Sequence, residues 1–204
     1  MLTFDFTIID DPKKVKIVQG SVSPRPIAWI SSHNKNGIVN LAPFSYFQML
    51  TSSLLSVSFL RLDGKMKDTP TNILDNNEAV IHIASSDLIA ELDVTSKRIE
   101  PNKSEVDLTK LTLVQSTFVK VKGIKEAKIR LEVKLENHLE LKNEKGLITA
   151  DLLIFRIIYA HVSKDIYDTN TGYIDVIKLD PLARLAGPNY ATIKAKTDFK
   201  RGFI

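Results

Sequence analysis

The sequence predicts a single domain built mainly from antiparallel β-strands, a barrel or a sandwich with accessory helices. The clearest strand pattern lies between Lys128 and Glu136, where apolar and charged residues alternate with a period of two, as in a strand with one buried face. Other short apolar runs lack the regular strand–helix alternation of a parallel sheet. The 204 residues, 44% of them hydrophobic, suffice for one packed core, so residues 1–204 are expected to form one domain.

Strands are predicted at five places along the chain. Four are short apolar runs at residues 25–32, 54–60, 79–84 and 118–124. The fifth is a long hairpin: its first strand continues from Lys128 to Leu141, the KNEKG segment at 142–146 forms the turn, and a more apolar strand returns through residues 147–162. The composition of the returning strand predicts that it is the more deeply buried of the two.

Two helices are predicted. The first begins near Thr69, which suits an N-cap, with Pro70 at the first helical position. The second lies within residues 85–96, where Ser85 or Ser86 can cap and Leu88, Ile89 and Leu92 share a face.

The start of the first helix is a candidate anion site. Its free backbone amides and the positive end of its dipole follow Lys65 and Lys67 in the chain. An ordinary capped surface helix with solvated lysines explains the same residues, and it is the favoured explanation for this segment alone.

The sequence excludes several familiar chemistries. It has no cysteine, so disulfides, thiolate nucleophiles and cysteine metal ligands are ruled out. It contains no dinucleotide-binding glycine fingerprint, no P-loop and no serine elbow. The histidines show no metal-ligand spacing and are expected to be structural or solvated, with no metal site: they are His33, His82, His138 and His161. Any reactivity is therefore expected to come from a cofactor.

Charge and hydropathy bear on partners and location. The net charge of +4 is spread among many acids, and the basic stretches at 13–16 and 194–204 carry no nucleic-acid-reading pattern, so no nucleic-acid partner is expected. The first residues lack the basic flank of a leader, and no segment approaches the ~20 apolar residues of a membrane span. A cytoplasmic protein that binds no membrane is expected.

Four segments, in order, resemble the flavin reductase-like family, whose fold is the FMN-binding split barrel of antiparallel Greek-key type. They are PRPIAWIS at 24–31, GIVNLAPFS at 37–45, KDTPTN at 67–72 and PLARLAGPNYATI at 181–193. The resemblance implies an FMN cofactor, with NADH or NADPH as hydride donor. It also implies a homodimer with flavin sites near the interface.

The resemblance implies a binding role for each part of the flavin site. The phosphate is expected at Lys67, Thr69 and the helix-start amides, with Asp68 acting through its backbone or as a cap. Asn72 either reaches the ligand or shields the cap. The ring is expected against the strand Ala28, Trp29, Ile30 and Ser31, and a loop around the ring and ribityl chain is expected from Asn40, Ala42, Pro43 and Ser45.

For some side chains near these motifs, the sequence allows two roles. Trp29 is either a core aromatic or a flavin contact, and Arg25 is expected to be a surface charge rather than a ligand. The aromatic residues at 44, 46 and 47 are expected mainly in the core or an interface. Arg184 and Tyr190 either anchor the chain or approach the site.

The function expected from the resemblance is an FMN-binding oxidoreductase of the flavin reductase type, with no catalytic side chain assigned. Hydride passes from NADH or NADPH to the flavin and electrons continue to an acceptor, for which a partner protein is one candidate. The alternative is a flavin-binding electron carrier or sensor without its own nicotinamide turnover. A basic barrel that binds nucleic acid is a third, weaker alternative.

Overall fold

The computed structural model describes residues 1–100 and 102–197, so the end of the second basic stretch, 198–204, lies outside the described residues. The α-helices are α1 (Asp11–Ser21), α2 (Asp68–Asn76), α3 (Ile89–Val94) and α4 (Val176–Leu179), and short 3₁₀ turns lie at Ser86–Leu88, Glu105–Leu108 and Lys164–Ile166. The strands are β1 (Arg25–Pro26), β2 (Ala28–His33), β3 (Val39–Phe44), β4 (Phe47–Met49), β5 (Leu54–Leu60), β6 (Glu78–Ile83), β7 (Leu113–Val114), β8 (Gly123–Ile124), β9 (Ile129–Lys142), β10 (Ile148–Val162), β11 (Ala183–Arg184) and β12 (Tyr190–Ala191).

Seven strands form one antiparallel sheet in the order β3-β2-β6-β9-β10-β5-β4. Its edge strands β3 and β4 are separated in the chain by only Ser45 and Tyr46. A flat sheet would place these edges about 29 Å apart, six spacings of about 4.8 Å, whereas the connection spans at most about 11 Å. The sheet must therefore curl into a half-barrel, and β1, β11 and β12 form a small sheet outside it.

The core follows the period of two along β2. Ala28 and Ile30 point into the main cluster, which is built around Phe59, Phe155 and Leu153 on the inner face of the curled sheet. Trp29, between them in sequence, points the other way into a second cluster. Both faces of this strand are therefore buried.

The long hairpin is confirmed: β9 and β10 pair through most of their length, with bulges that interrupt the register. Its buried residues are slightly more numerous on β10, as predicted. One residue on the expected wet face of β9 differs, because Glu132 is fully buried. Its carboxylate accepts hydrogen bonds from the backbone amides of Thr117, Phe118 and Val119, and it lies 2.7 Å from Nε2 of His161.

The same carboxylate explains why the predicted strand at 118–124 is wrong except for β8 at its end. A strand uses its amides in a ladder with another strand. Here the amides before and within the predicted run converge on Glu132 instead, so the segment folds as a loop over the sheet.

Both predicted helices form, with different starts. The N-cap of α2 is Lys67, without a side-chain cap bond, and Pro70 is the third helical residue rather than the first. The capping role assigned to Thr69 is therefore wrong. In the second helical segment Leu88 and Leu92 are buried, but Ile89 is exposed, because the segment begins as a 3₁₀ turn that rotates Ile89 outward.

Helix α1 was not predicted. Asp10 caps it by accepting from the amide of Lys13, and Pro12 lies in its first turn. No residue of α1 is buried, so its sequence lacks the apolar stripe that makes a helix recognisable. None of the helices in the described ranges 1–100 and 102–197 is long and apolar enough to cross a membrane.

His82 is a buried structural histidine. Its Nε2 accepts from the amide of Ile124 at 2.9 Å, so Nδ1 carries the proton and donates to the carbonyl of Trp29 at 2.8 Å. The pKa of His82 is lowered to about 4, mainly by burial and also by the nearby charge of Arg130, although the bond to the carbonyl of Trp29 acts to raise it.

The shift predicts a loss of stability in mild acid. The unfolded chain takes up a proton at His82 below pH 6.5, whereas the folded chain remains neutral there until about pH 4, so falling pH favours the unfolded state. This residue is expected to remove about 2 kcal/mol between pH 7 and pH 5. Urea unfolding at both values measures the loss, and an NMR titration of the His82 ring assigns it. A midpoint near 6.5 for that ring would contradict the prediction.

Candidate functional site

Two clefts lie side by side at the junction of β3, α2 and the segment after α3. One, of about 410 Å³, is named the tyrosine cleft after Tyr46 and Tyr190, and the other, of about 460 Å³, is named the lysine cleft after Lys65 and Lys97. They share four lining residues: Pro43, Phe44, Lys67 and Ser96. Each volume falls within the range of about 300–1,000 Å³ typical of small-molecule sites, and together they form an elongated site.

The lysine cleft is lined by four basic side chains and by three acidic ones, Asp63, Asp68 and Glu105. Its basic side chains come from two separate segments, Lys65 and Lys67 before α2 and Lys97 and Arg98 after α3. The first turn of α2 reaches the same cleft through Asp68 and Thr69. This combination of positive side chains and a helix N-terminus suits a phosphate group.

Lys67 is the cation at the boundary between the clefts. Its Nζ lies 5.5 Å from the centre of the Phe44 ring. The residue is exposed at the surface, yet partial loss of water around its ammonium lowers its pKa, and the positive charge of Arg98 lowers it further. An anion placed between Lys67 and Arg98 would relieve this repulsion.

Buried polar groups form the floor of the lysine cleft. Thr69 is buried, and its hydroxyl accepts a hydrogen bond of 2.8 Å from the side-chain Nδ2 of Asn40. The buried carboxylate of Glu105 accepts from the backbone amide of Leu41 at 3.1 Å. Burial raises the pKa of Glu105, and the nearby charge of Asp68 raises it further, against the lowering effect of the hydrogen bonds. These bonds fix β3 against α2 and the 3₁₀ turn that carries Glu105.

The tyrosine cleft is lined by aromatic and apolar side chains together with charged and polar ones. Ile27, Phe44, Leu60 and Leu92 line it together with the two tyrosines. Tyr46 accepts a hydrogen bond from the side chain of Gln19 at 2.9 Å, which ties α1 to this cleft. Such a surface suits a planar ring with a polar edge.

The predicted ring-binding strand does not reach either cleft. The side chains of Ala28, Trp29, Ile30 and Ser31 are fully buried and line neither cleft. The strand pairs with β3 on one side and β6 on the other, so the backbone groups of Trp29 to Ser31 are engaged in ladders. As a central strand β2 offers no free edge to a flavin ring at Trp29 to Ser31, and the ring contacts assigned to Ala28 to Ser31 stay a prediction. Trp29 is a core residue that donates to Thr95 at 2.9 Å.

The segment predicted as a loop around the ligand is also different. Asn40, Ala42 and Pro43 belong to β3, an edge strand of the sheet, where a proline is tolerated. These residues nevertheless line the lysine cleft, and Ser45, just after the strand, lines the tyrosine cleft. The structure thus brings this segment to the site, on a strand rather than a loop.

The residues at the start of α2 divide into two groups. Lys67, Asp68 and Thr69 line the lysine cleft, and their expected role toward a phosphate stays a prediction. Asn72 is buried, lines neither cleft, and donates to the hydroxyl of Ser32 at 3.3 Å. It therefore packs α2 against β2 instead of facing the cleft.

Sequence reasoning missed part of the site. Arg25, expected at the surface, is buried and lines the tyrosine cleft, because three backbone carbonyls hold its guanidinium in place. Lys97, Arg98 and Glu105 lie in a stretch with no recognisable motif, and only the adjacent basic pair at 97–98 hinted at a charge cluster. No cluster of metal-ligating side chains occurs among residues 1–100 and 102–197.

The arrangement can bind an elongated anion with an aromatic part. Its phosphate-like end fits the lysine cleft, and its planar end fits the tyrosine cleft along Phe44. In neither lining does a serine–histidine pair or a metal-ligand set provide a nucleophile or an activated water. The residues present bind and orient.

Comparison with known proteins finds relatives that cover most of the chain. The chain is 42% identical over 180 residues to the uncharacterized protein YwrF of Bacillus subtilis, covering 87% of this chain and 88% of that one. Its structure is similar to nitrilotriacetate monooxygenase component B from Bacillus cereus, with a TM-score of 0.93, 36% identity and 98% coverage of both chains.

The fold extends to more distant proteins. A protein from Shewanella frigidimarina with a split barrel domain aligns with a TM-score of 0.82 at 18% identity, covering 99% of this chain and 100% of that one. This supports the split barrel, and the expected mostly-β antiparallel fold class is confirmed. Residues 20–177 match the family model described as the flavin reductase like domain. The chain belongs to the flavin reductase-like family.

Proposed function

We propose that the protein binds FMN across the two clefts and acts as an oxidoreductase of the flavin reductase type. The observation that carries this proposal is the junction at Lys67, where a cationic cleft at a helix start meets an aromatic cleft. FMN combines a dianionic phosphate with a broad aromatic ring, and the two clefts match these parts in that order. FMN is preferred to a flavin without phosphate because the four cations of the lysine cleft form no ion pair among the described residues, and a phosphate would supply one.

Named residues would hold each part of the cofactor. Lys65, Lys67, Lys97 and Arg98 surround the phosphate position, and the first amides of α2 donate to it. Phe44 and Tyr46 border the ring. Asn40 keeps β3 fixed against α2 through its bond to Thr69, so both ends of the ligand are positioned by one rigid unit.

The reaction proposed is transfer of a hydride from NADH or NADPH to the flavin, followed by delivery of electrons to an acceptor. When bound, the flavin supplies the redox chemistry. The side chains of the clefts contribute position and a partly desolvated surface. One similar structure is component B of nitrilotriacetate monooxygenase, and we propose that the final acceptor of this protein is a separate molecule.

Steady-state oxidation of NADH and NADPH in the presence of FMN tests this function. A flavin reductase consumes at least one of the two nucleotides with turnover that saturates with FMN. A protein that binds FMN but oxidises neither would instead be an electron carrier or sensor. A protein that binds no flavin would contradict the proposal altogether.

We also propose that the protein forms a homodimer through the outer face of its long hairpin. Leu60 on β5 and Leu141 on β9 flank Ala150 on β10 in the register of the sheet, and Leu139 lies opposite Leu152. Leu60, Leu139 and Leu141 are exposed, and exposed apolar groups of this kind mark interaction surfaces. Leu60 also lines the tyrosine cleft, so a partner seated here would lie beside the flavin.

Replacing both Leu139 and Leu141 by glutamate is expected to yield a monomer, because two buried charges at an interface are costly. Analytical ultracentrifugation measures the change in mass. The control is Glu144→Gln in the hairpin turn, which should leave the oligomer intact. A wild-type protein that sediments as a monomer at micromolar concentration would refute the proposed dimer.

A further inference from the structure

Arg25 and Arg184 face each other across the small outer sheet. The register of β1 and β11 makes them direct cross-strand partners, and both line the tyrosine cleft. Two like charges directly opposite each other in an antiparallel pair are destabilising. Within the described ranges neither guanidinium forms an ion pair with a carboxylate; their hydrogen bonds go to backbone carbonyls.

Arg25 is held rigidly and is incompletely paired. It is 6% exposed, and its terminal nitrogens donate to the carbonyls of Gln19, Val22 and Leu185 at 2.6, 2.8 and 3.0 Å. Its Nε has no hydrogen-bond partner in the part of the chain that the structure describes. A buried donor without an acceptor costs free energy, and so does an uncompensated buried charge.

Arg184 is also fixed in orientation. Its guanidinium lies 4.6 Å from the centre of the Tyr190 ring and donates to the carbonyl of Gly187 at 2.7 Å. Gly187 has a φ of 63°, a left-handed conformation that glycine adopts without strain, and this turn places its carbonyl under Arg184. A planar guanidinium held in this way is suited to carboxylate and phosphate oxygens.

The charge of the tyrosine cleft also favours an anionic ligand near the two arginines. Among its described lining residues are three cations, Arg25, Arg184 and Lys67, and one acid, Asp93. Lys67 belongs also to the lysine cleft, which takes the flavin phosphate in the proposed function. The two arginines therefore remain for a second anion.

We propose that Arg25 and Arg184 form a subsite for the anionic group of the second substrate, the molecule that exchanges electrons with the flavin. This inference rests on the proposed function and adds to it a substrate class, namely a carboxylate- or phosphate-bearing partner. The phosphates of a nicotinamide dinucleotide and the carboxylate of an organic acceptor share this chemistry, and experiment separates them.

The test uses flavin-loaded protein and Arg184→Gln, because Arg184 is partly exposed and its replacement leaves the anchoring bonds of Arg25 in place. In the first arm, stopped-flow absorbance follows flavin reduction by NADH, NADPH and 1-benzyl-1,4-dihydronicotinamide, which carries no phosphate. In the second arm, reoxidation of the reduced protein is followed with 4-nitrobenzoate and with uncharged 4-nitrobenzyl alcohol.

In one arm, the ratio of the rate constant for the anionic partner to that for the neutral partner is expected to fall about tenfold. This corresponds to the loss of one charge-assisted hydrogen bond. The arm that changes identifies the source of the anion. Arg184→Lys should restore part of the ratio. The control Arg156→Gln removes an arginine paired with Glu136 away from both clefts and should leave both ratios unchanged.

Two outcomes would overturn the subsite. One is that Arg184→Gln leaves both ratios as in the wild type, or slows charged and neutral partners equally. The other is that it weakens FMN binding far more than riboflavin binding, which would assign the arginines to the flavin phosphate. A wild-type protein that binds no flavin would contradict the proposed function itself, and this result is recognised before any variant is made.

Discussion

Replacing Lys67 and Arg98 together by glutamine is expected to weaken FMN binding about a hundredfold while riboflavin affinity falls much less. Both cations line the lysine cleft, and a charge-assisted hydrogen bond contributes about 1.5 kcal/mol or more. Two such bonds correspond to about a hundredfold in affinity. Riboflavin lacks the phosphate but keeps the ring, so titrations of both flavins, followed by their fluorescence, separate the two parts of the site.

The matched control for this double variant is Lys35→Gln. Lys35 forms an ion pair of 3.5 Å with Asp75, which lies on α2, but Lys35 lines neither cleft. Its replacement should leave the affinities for FMN and for riboflavin unchanged. Equal losses of FMN and riboflavin in the double variant would show that the lysine cleft does not hold the phosphate.

Replacing Glu132 by alanine is expected to lower the free energy of unfolding by about 3–5 kcal/mol, the range for breaking a buried charged network. The fully buried carboxylate accepts from three consecutive backbone amides, beginning at Thr117, and lies beside His161. All these groups would lose their acceptor. Urea unfolding at pH 7 measures the change, and Glu132→Gln, which keeps the shape and one acceptor oxygen, should cost less.

The control on the same strand is Glu136→Ala. Glu136 is exposed and pairs only with Arg156 among the described residues, and exposed ion pairs contribute about 0–1 kcal/mol. Similar losses at Glu132 and Glu136 would contradict the role assigned to the buried carboxylate.

The network around Glu132 also predicts acid sensitivity. Burial by itself raises the pKa of Glu132, but the hydrogen bonds from Thr117, His161 and the following amides outweigh it, and the net shift is downward from 4.5. A depressed carboxylate pKa stabilises the fold above the unfolded value, and this stability is lost as pH falls below about 4.5. The loss follows, at lower pH, the one assigned to His82.

The order of apolar and polar residues predicted those parts of the fold where the environment of a residue depends on its neighbours in the chain. Residues 128 to 136 in the first strand of the hairpin alternate regularly enough to show its buried face, and α2 shows a proline followed by Ile73 on its buried face. Glu132 broke the same alternation, because its partners come from a loop 13 to 15 residues away. No periodicity in β9 encodes that loop.

The candidate site could be predicted only in part, because it combines segments that are distant in the chain and meet only in the fold. Ala28 to Ser31 carry a family motif, but whether they reach a ligand depends on β2 lying between β3 and β6. Lys97 and Arg98 reach the lysine cleft because the segment after α3 folds back toward α2. Lys67, Asp68 and Thr69 could be predicted to lie near the cleft because they are adjacent in the chain at the start of α2.

The most direct measurement of the central claim is a crystal structure of the protein grown with FMN. We expect the phosphate within hydrogen-bond distance of Lys67 and the first amides of α2, and the ring in the tyrosine cleft against Phe44. A phosphate bound at Arg25 and Arg184, or a flavin bound outside both clefts, would contradict this account.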